Sequence, residues 1–236
     1  MSTNSGFTAF IFARGGSKRV KNKNIYSVAG KPLIAHSILA ALASESIGQV
    51  VVSTDDADIA KAAKDYGAEV LMRPAELADD TSPEILAWRH AIASYPHLFE
   101  PKGPQPFISL PATAPLRLPI DIDAAIAKFM QTDCDVLFGI SPSHNNPYLN
   151  MATIGEDGLI TIVLEGSSAI RTQDVPPVYD ITTCTYVANA EFVKRSNKLI
   201  DGRVGYTVIP PERALDIDTP FDMYLADLLL THPYKG

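Results

Sequence analysis

The sequence predicts an α/β fold: a mainly parallel, Rossmann-like sheet with helices on both faces and a β-rich excursion late in the chain. Two observations point there. Short runs at 7–13, 49–53, 69–72, 107–110 and 136–140 are mostly apolar and rich in β-branched and aromatic residues. They are too short for core helices, and strands covered on both faces read this way. Between them lie segments of helical period, so strand and helix alternate. Composition adds a third observation: 46% hydrophobic residues in a chain of 236 suffice for one large core. A single domain over residues 1–236 is expected, with no metal or disulfide staple.

The first strand, 7–13, runs into a loop with two glycines, and Gly30-Lys-Pro32 opens a helix over 32–44. Pro32 suits a first turn, and Leu33, Ile34, Ile38, Leu39 and Leu42 make one apolar stripe. The second strand, 49–53, leads to a helix over 56–66 that Gly67 stops. After the strand at 69–72, Ser82 is expected to cap a helix that has Pro83 at its first position and Ile85, Leu86 and Ile92 inward. The strand at 107–110 precedes a helix over 119–131, with Asp121 and Asp123 near its positive end. The strand at 136–140 completes the regular part.

The rhythm breaks after Ile140. Residues 141–182 alternate prolines, asparagines and short β-like runs, and Gly155-Glu-Asp-Gly158 is the expected turn of a hairpin between 149–154 and 159–164. This stretch reads as an excursion from the sheet, a flap or lid, rather than a second domain. The sheet resumes at 183–188, followed by a short helix over 190–196, a strand near 206–209 and a closing helix over 219–230.

A net charge of −7 and a pI near 5.2 argue against a nucleic-acid partner, which would need a broad basic face. No apolar run approaches the length of a membrane span, and residues 1–6 are polar with no signal-peptide core. Cys134 and Cys184 fall on expected element edges without a C-x-x-C, so reduced thiols in a cytoplasmic protein are expected. The five histidines show no metal-ligand spacing; His36 and His90 fall inside expected helices as packing residues.

Against this acidic background, five of the chain's 20 Lys and Arg residues fall in the ten positions 14–23: Arg14, Lys18, Arg19, Lys21 and Lys23. Gly15 and Gly16 let a backbone approach a bulky anion and permit φ > 0. Consecutive loop N–H groups form an anion-binding concavity, and the cations add charge-assisted donors for phosphate. The alternative is a solvated basic loop. The stretch matches neither G-x-G-x-x-G nor the Walker pattern. In Asp216-Ile-Asp218, an extended backbone sends both carboxylates to one side, a pair suited to Mg²⁺. The alternatives are a solvated acidic edge, or Asp218 capping the helix that starts at Thr219-Pro220. Ser53-Thr54-Asp55 and Arg73 each follow a strand end, the edge where open sheets bind ligands. Arg73 can pair with a phosphate or read a base, or form a structural ion pair with Asp79 or Asp80. Arg117 is expected to cap or pack.

Four blocks carry a resemblance: Ala13-Arg-Gly-Gly-Ser-Lys18 with Lys23-Asn24-Ile; Val51-Val-Ser-Thr-Asp55; Arg73-Pro-Ala-Glu-Leu-Ala78-Asp-Asp-Thr81-Ser82; and Asp216-Ile-Asp218-Thr-Pro220. In this order and near this spacing they resemble the acylneuraminate cytidylyltransferases, the CMP-sialic acid synthetase family, over about 8–230. The resemblance implies transfer of CMP from CTP to the anomeric hydroxyl of a nine-carbon acidic sugar of sialic, legionaminic or pseudaminic type, releasing pyrophosphate. It also implies a homodimer in which the excursion at about 141–182 reaches the partner's site. By the same resemblance Arg14, Gly15, Gly16, Ser17, Lys18, Asn24 and Arg73 bind nucleotide, and Arg14 and Lys23 act in catalysis with Asp216 and Asp218, which hold Mg²⁺. Arg171, Gln173 and Thr113 fall to the sugar.

Two departures leave the sugar open. Pro111 stands where the family usually has glutamine, and Tyr148, Leu149 and Asn150 occupy a region where it often has lysine. A 3-deoxy-octulosonate cytidylyltransferase shares the reaction type, although the Arg73 block and the excursion favour the nine-carbon branch. A D-x-D glycosyltransferase would have its metal pair mid-chain and would not need an N-terminal cationic loop. A non-catalytic nucleotide-binding relative fits poorly with intact Arg14, Lys23, Asp216 and Asp218. No histidine is placed by motif as a general base.

Overall fold

Alternation along the first strand sets the layers. In β1 (Phe7–Phe12) Ala9 and Ile11 enter one core and Phe10 the other, all fully buried, because successive side chains of a strand point to opposite faces. The computed structural model describes residues 6–79, 82–99, 105–164 and 171–233. After β1 the chain forms β2 (Ser27–Val28), β3 (Lys31–Pro32), α1 (Leu33–Leu42), β4 (Ile47–Thr54), α2 (Ala57–Asp65) and β5 (Glu69–Met72). It continues through α3 (Glu84–Ser94), β6 (Phe107–Ser109), α4 (Pro119–Gln131) and β7 (Val136–Pro142). The excursion holds β8 (Ala152–Ile154) and β9 (Ile160–Ile162), and β10 (Tyr179–Ala188), α5 (Ala190–Arg195), β11 (Val204–Val208) and α6 (Pro220–Thr231) complete the chain.

Seven strands make one mixed sheet in the order β11-β7-β10-β6-β1-β4-β5. β10 runs antiparallel to both its neighbours, and the other pairings are parallel. One core packs α1, α2 and α4 through Ile34, Ile38, Ile59, Ile122 and Ile126. The other packs α3 and α5 around Trp88, whose ring lies 5.1 Å from that of Phe107, itself stacked 5.2 Å from Phe10. A third, smaller core seats α6 on Val20, Val28 and Leu33 through Met223 and Ala226. It fixes the end of the chain beside the loop that follows β1.

Several expectations are corrected in detail. Pro32 lies in a two-residue strand, and the helix begins at Leu33. Ser82 does not cap α3: Pro83 precedes the first helical residue, Glu84, with no side-chain cap, and the Ser82 hydroxyl is buried without a hydrogen-bond partner. Cys184 lies inside β10, buried, rather than at an element edge. Asp123 does more than meet a helix dipole: it accepts from Ser44 Oγ at 2.6 Å and from the Ser46 N–H at 3.0 Å, tying α4 to the turn before β4. The hairpin β8–β9 is shorter than expected, with Gly158 at φ 77° in its turn.

Asp121 has the larger structural role. It is 4% exposed, accepts from the Leu118 N–H at 2.9 Å, and takes a two-pronged bond from Arg213 with Nε–Oδ2 and Nη2–Oδ1 both at 2.9 Å. This pair anchors the segment leading to Asp216. Asp121→Ala is expected to cost roughly 2–4 kcal/mol, somewhat less than breaking a fully buried pair, because Arg213 keeps some access to water. Urea denaturation should show a lower midpoint with an unchanged slope.

Candidate active site

The strand order reverses at β1: the chain passes through α1 to β4 on one side and later returns to β6 on the other. The carboxyl edge at such a reversal is a natural crevice, and a cavity of about 610 Å³ opens there. Its walls bring together Arg14, Ser17, Lys18, Lys23, Asn24, Thr113 and Asp218, all expected from the sequence, with Arg19 and Phe12. A second cavity of about 260 Å³ shares the Phe12 and Arg14 walls and is lined further by Arg73, Asp79, Ser82 and Glu84.

The loop that holds the cations is braced from several directions. Gly15 donates its N–H to Asp55 Oδ1 at 3.1 Å. A Cβ at Gly15 would sit 2.5 Å from Asp56 Oδ2 and 3.0 Å from its Cβ. Asp56 cannot yield cheaply, since its carboxylate caps α2 by accepting from the Asp58 and Ile59 N–H groups. Glycine is needed here for close approach. Left-handed backbone falls instead on Asn22 and Ala29, at φ 55° and 47°, not on Gly15 or Gly16. The expected row of loop amides is also reduced, because the Ser17 N–H bonds back to the Gly15 carbonyl at 2.9 Å. With the Gly15 amide on Asp55, the loop's capacity to meet an anion rests more on its side-chain cations than on its amides. Asn24, 6% exposed, donates to the Arg14 carbonyl at 3.0 Å and holds the loop's base.

The carboxyl-terminal wall is joined to this loop. Lys23 Nζ donates to the Ile217 carbonyl at 2.6 Å and lies 3.4 Å from Asp218 Oδ1, while Arg19 reaches Asp218 Oδ2 at 2.9 Å. The Ile217 N–H donates to the Thr113 carbonyl at 2.9 Å. Asp218 does not cap α6: Thr219 does, in a reciprocal box with Asp222. That removes one of the two structural alternatives for Asp218. Asp216 does not line the cavity beside Asp218; its Oδ1 is buried without a hydrogen-bond partner, a costly state for a carboxylate oxygen unless a cation meets it.

Among the described residues Arg73 pairs with Asp55 and not with Asp79; Asp80 lies outside the described residues. Its guanidinium is 3.9 Å from Asp55, its side chain is 6% exposed, and its Nε is buried without a partner. Burial lowers its pKa and Asp55 pulls it back up, but an arginine remains a cation throughout. Arg117 packs, as expected: it is buried and donates to the Cys184 and Pro111 carbonyls. Arg171 and Gln173 are not brought to this cleft. Arg171 pairs with Asp174 at 3.0 Å, and Gln173 lines a separate groove with Ser143, His144 and Asn146.

Residues 8–109 match the family model described as cytidylyltransferase. A flagellin post-translational modification protein B from Campylobacter coli is 35% identical over 93% of this chain and 93% of its own. A CMP-N,N'-diacetyllegionaminic acid synthase from Campylobacter jejuni subsp. jejuni serotype O:2 is 33% identical over 94% of this chain and 93% of its own.

The chain belongs to the cytidylyltransferase family.

The cytidylyltransferase fold also recurs in a solved structure, a CMP:2-keto-3-deoxy-manno-octonic acid synthetase complexed with CTP. Its TM-score is 0.73, at 15% identity, over 98% of this chain and 100% of that one. The family model ends at Ser109, so it spans the cationic loop, Asp55 and Arg73, whereas the relatives extend across nearly the whole chain. Among the described residues, no helix is long and apolar enough to cross a membrane.

Sequence reasoning missed Phe12 and Glu84 as cleft residues of this cytidylyltransferase. Phe12 reads as the last apolar position of a strand, and Glu84 as one more acid at a helix start. Only the tertiary placement of α3 over the end of β1 turns both toward the crevice.

Proposed function

We propose that the chain transfers CMP from CTP to the anomeric hydroxyl of a nonulosonic acid, releasing pyrophosphate. The observation that carries this reading is the meeting of Lys23 with Ile217 and Asp218. It joins the cationic loop to the Asp218 carboxylate at the sheet's reversal point. The relative named for diacetyllegionaminic acid supports the nonulosonic class of acceptor.

In this reading Arg14, Lys18 and Lys23 bind the triphosphate, with Gly15, Gly16 and Ser17 letting it come close; a Cβ on Gly16 would meet nothing within 4 Å. Their charge is fixed before the reaction, so it stabilises the negative charge that develops as pyrophosphate leaves without reorganising. Lys23 is held by a backbone carbonyl as well as by Asp218, which keeps its ammonium at the rim of the cavity. Arg73 offers an unsatisfied buried donor to the nucleotide. Thr113, which lines the larger cavity, is assigned to the acceptor sugar.

The carboxylates fit Mg²⁺. Asp216 supplies a buried oxygen with no other partner, and Mg²⁺ needs only one or two carboxylates beside substrate oxygens and water. Among the described residues no group of three or more candidate metal ligands occurs. When bound, the ion would neutralise phosphate charge as a Lewis acid. The rest of the work is positioning. The deciding experiment is a panel of 3-deoxy-2-ulosonic acids incubated with CTP, read by pyrophosphate release and product mass; no CMP-sugar from any nonulosonic member would overturn the proposal.

The excursion supports a homodimer. Ile154 and Ile160 oppose each other across the hairpin and are 78% and 72% exposed, with Tyr179 and Ile181 of β10 also exposed. In this reading Arg171 and Gln173, which do not line the cleft of their own chain, serve the partner's. Replacing both hairpin residues, Ile154→Asp with Ile160→Asp, is expected to give a monomer in sedimentation velocity, with lost turnover and an almost unchanged far-ultraviolet spectrum. A cytoplasmic setting belongs to the same proposal, since the two free thiols suit a reducing compartment.

A further inference from the structure

The smaller cavity has chemistry beyond phosphate binding. Phe12, Leu77 and Ala87 give it apolar walls, and Arg73 and Glu84 stand among them. About 260 Å³ holds a single flat heterocycle rather than a sugar with its substituents. Two buried groups there have no hydrogen-bond partner, Arg73 Nε and Ser82 Oγ, and Arg73 is 92% removed from solvent, being 8% exposed. A buried donor left unsatisfied is costly, so the compartment is built to receive acceptors.

Glu84 supplies the opposite polarity. Trp88 Nε1 donates to its Oε1 at 3.3 Å, which fixes the carboxyl's orientation and leaves Oε2 without a partner among the described residues. Glu84 keeps exposed surface, yet protein packed around its carboxyl pushes the pKa up, with Trp88 and Arg73 pulling it back down. Hydrogen bonds in such a crowded setting discriminate more strongly than in water. Asp79, the other carboxylate on the wall, has a partner of its own.

A donor on one side and an acceptor on the other match the edge of cytosine, whose O2 and N3 accept and whose exocyclic amino group donates. Uracil reverses that edge at N3 and at position 4. We propose that Glu84 is the base-selecting residue of this cytidylyltransferase, its Oε2 accepting a hydrogen bond from the cytosine amino group while Arg73 donates to the ring. The inference rests on the CMP-transfer reading and adds to it a specific determinant of nucleotide choice.

Glu84→Gln tests it cleanly. The glutamine carbonyl can stay on Trp88, so the amide nitrogen replaces Oε2 and an acceptor becomes a donor. The measurement is calorimetric binding of CTP, UTP and inorganic triphosphate, each with Mg²⁺, to the wild-type chain and the variant. The ratio of UTP to CTP dissociation constants is expected to fall by roughly 30-fold or more, as for a site that loses one hydrogen bond and gains a mismatch. Triphosphate binding should not move, since it has no base to read. An unchanged ratio, or an equal loss of triphosphate binding, overturns the role of Glu84 while leaving CMP transfer intact. A wild-type protein that binds UTP as tightly as CTP overturns both readings together.

Discussion

Asp218→Asn is expected to lower kcat by two or more orders of magnitude while leaving the melting temperature nearly unchanged. The size of the effect follows from Lewis-acid stabilisation, worth several kcal/mol when a carboxylate that holds the ion is lost. The unchanged stability follows from the local structure. Thr219 and Asp222 cap α6 between them, so neutralising Asp218 removes no cap. Its pair with Arg19 joins side chains that are 51% and 70% exposed, and Lys23, itself 15% exposed, meets the same half-exposed carboxylate only at 3.4 Å. Pairs so open to water contribute about 0–1 kcal/mol. Lys23 also keeps its bond to the Ile217 carbonyl. Activity of the unmodified protein should vanish with EDTA and return with Mg²⁺, and with Mn²⁺, which accepts similar oxygen ligands. Turnover and melting should be read on the same sample, and retained turnover would rule out the metal role.

Arg14→Ala should lower kcat/KM for CTP by roughly 10- to 1000-fold, or about 1.4–4 kcal/mol of transition-state stabilisation. Arg14 lines both cavities, so its side chain lies where the two join. The backbone carbonyl that Asn24 bonds stays in place, and wild-type kinetics would mean that the loop is only solvated.

Much of this architecture was legible because the relevant signals are local. β5 and α4 fall at the expected limits: a charged and glycine-bounded apolar run sets the first, and Pro119 starts the second. The cations at 14–23 and the aspartates at 216 and 218 stand out by composition, and the structure brings Arg14, Lys18, Lys23 and Asp218 to one cavity. Less legible was anything decided by residues distant in sequence. The amides of the loop looked ready for an anion until Asp55 was seen to occupy one of them. The direction of β10 has no local mark, since an apolar strand reads alike either way, and its first residues, exposed in the single chain, read as part of the excursion. Capping of α6 by Asp218 stood as one alternative to a metal role, and it is Thr219 that holds that place.

The bonds from Lys23 to Ile217 and from Ile217 to Thr113 have a consequence for synthesis of the chain. All strands of the main sheet are present once Val208 has been added, but the cleft still lacks Ile217 and Asp218. A nascent chain at that stage can pair its strands and bury both large cores, yet it lacks the cleft's second wall and the groups that hold the Lys23 ammonium. Closure of the cleft is thus deferred until the last helix docks.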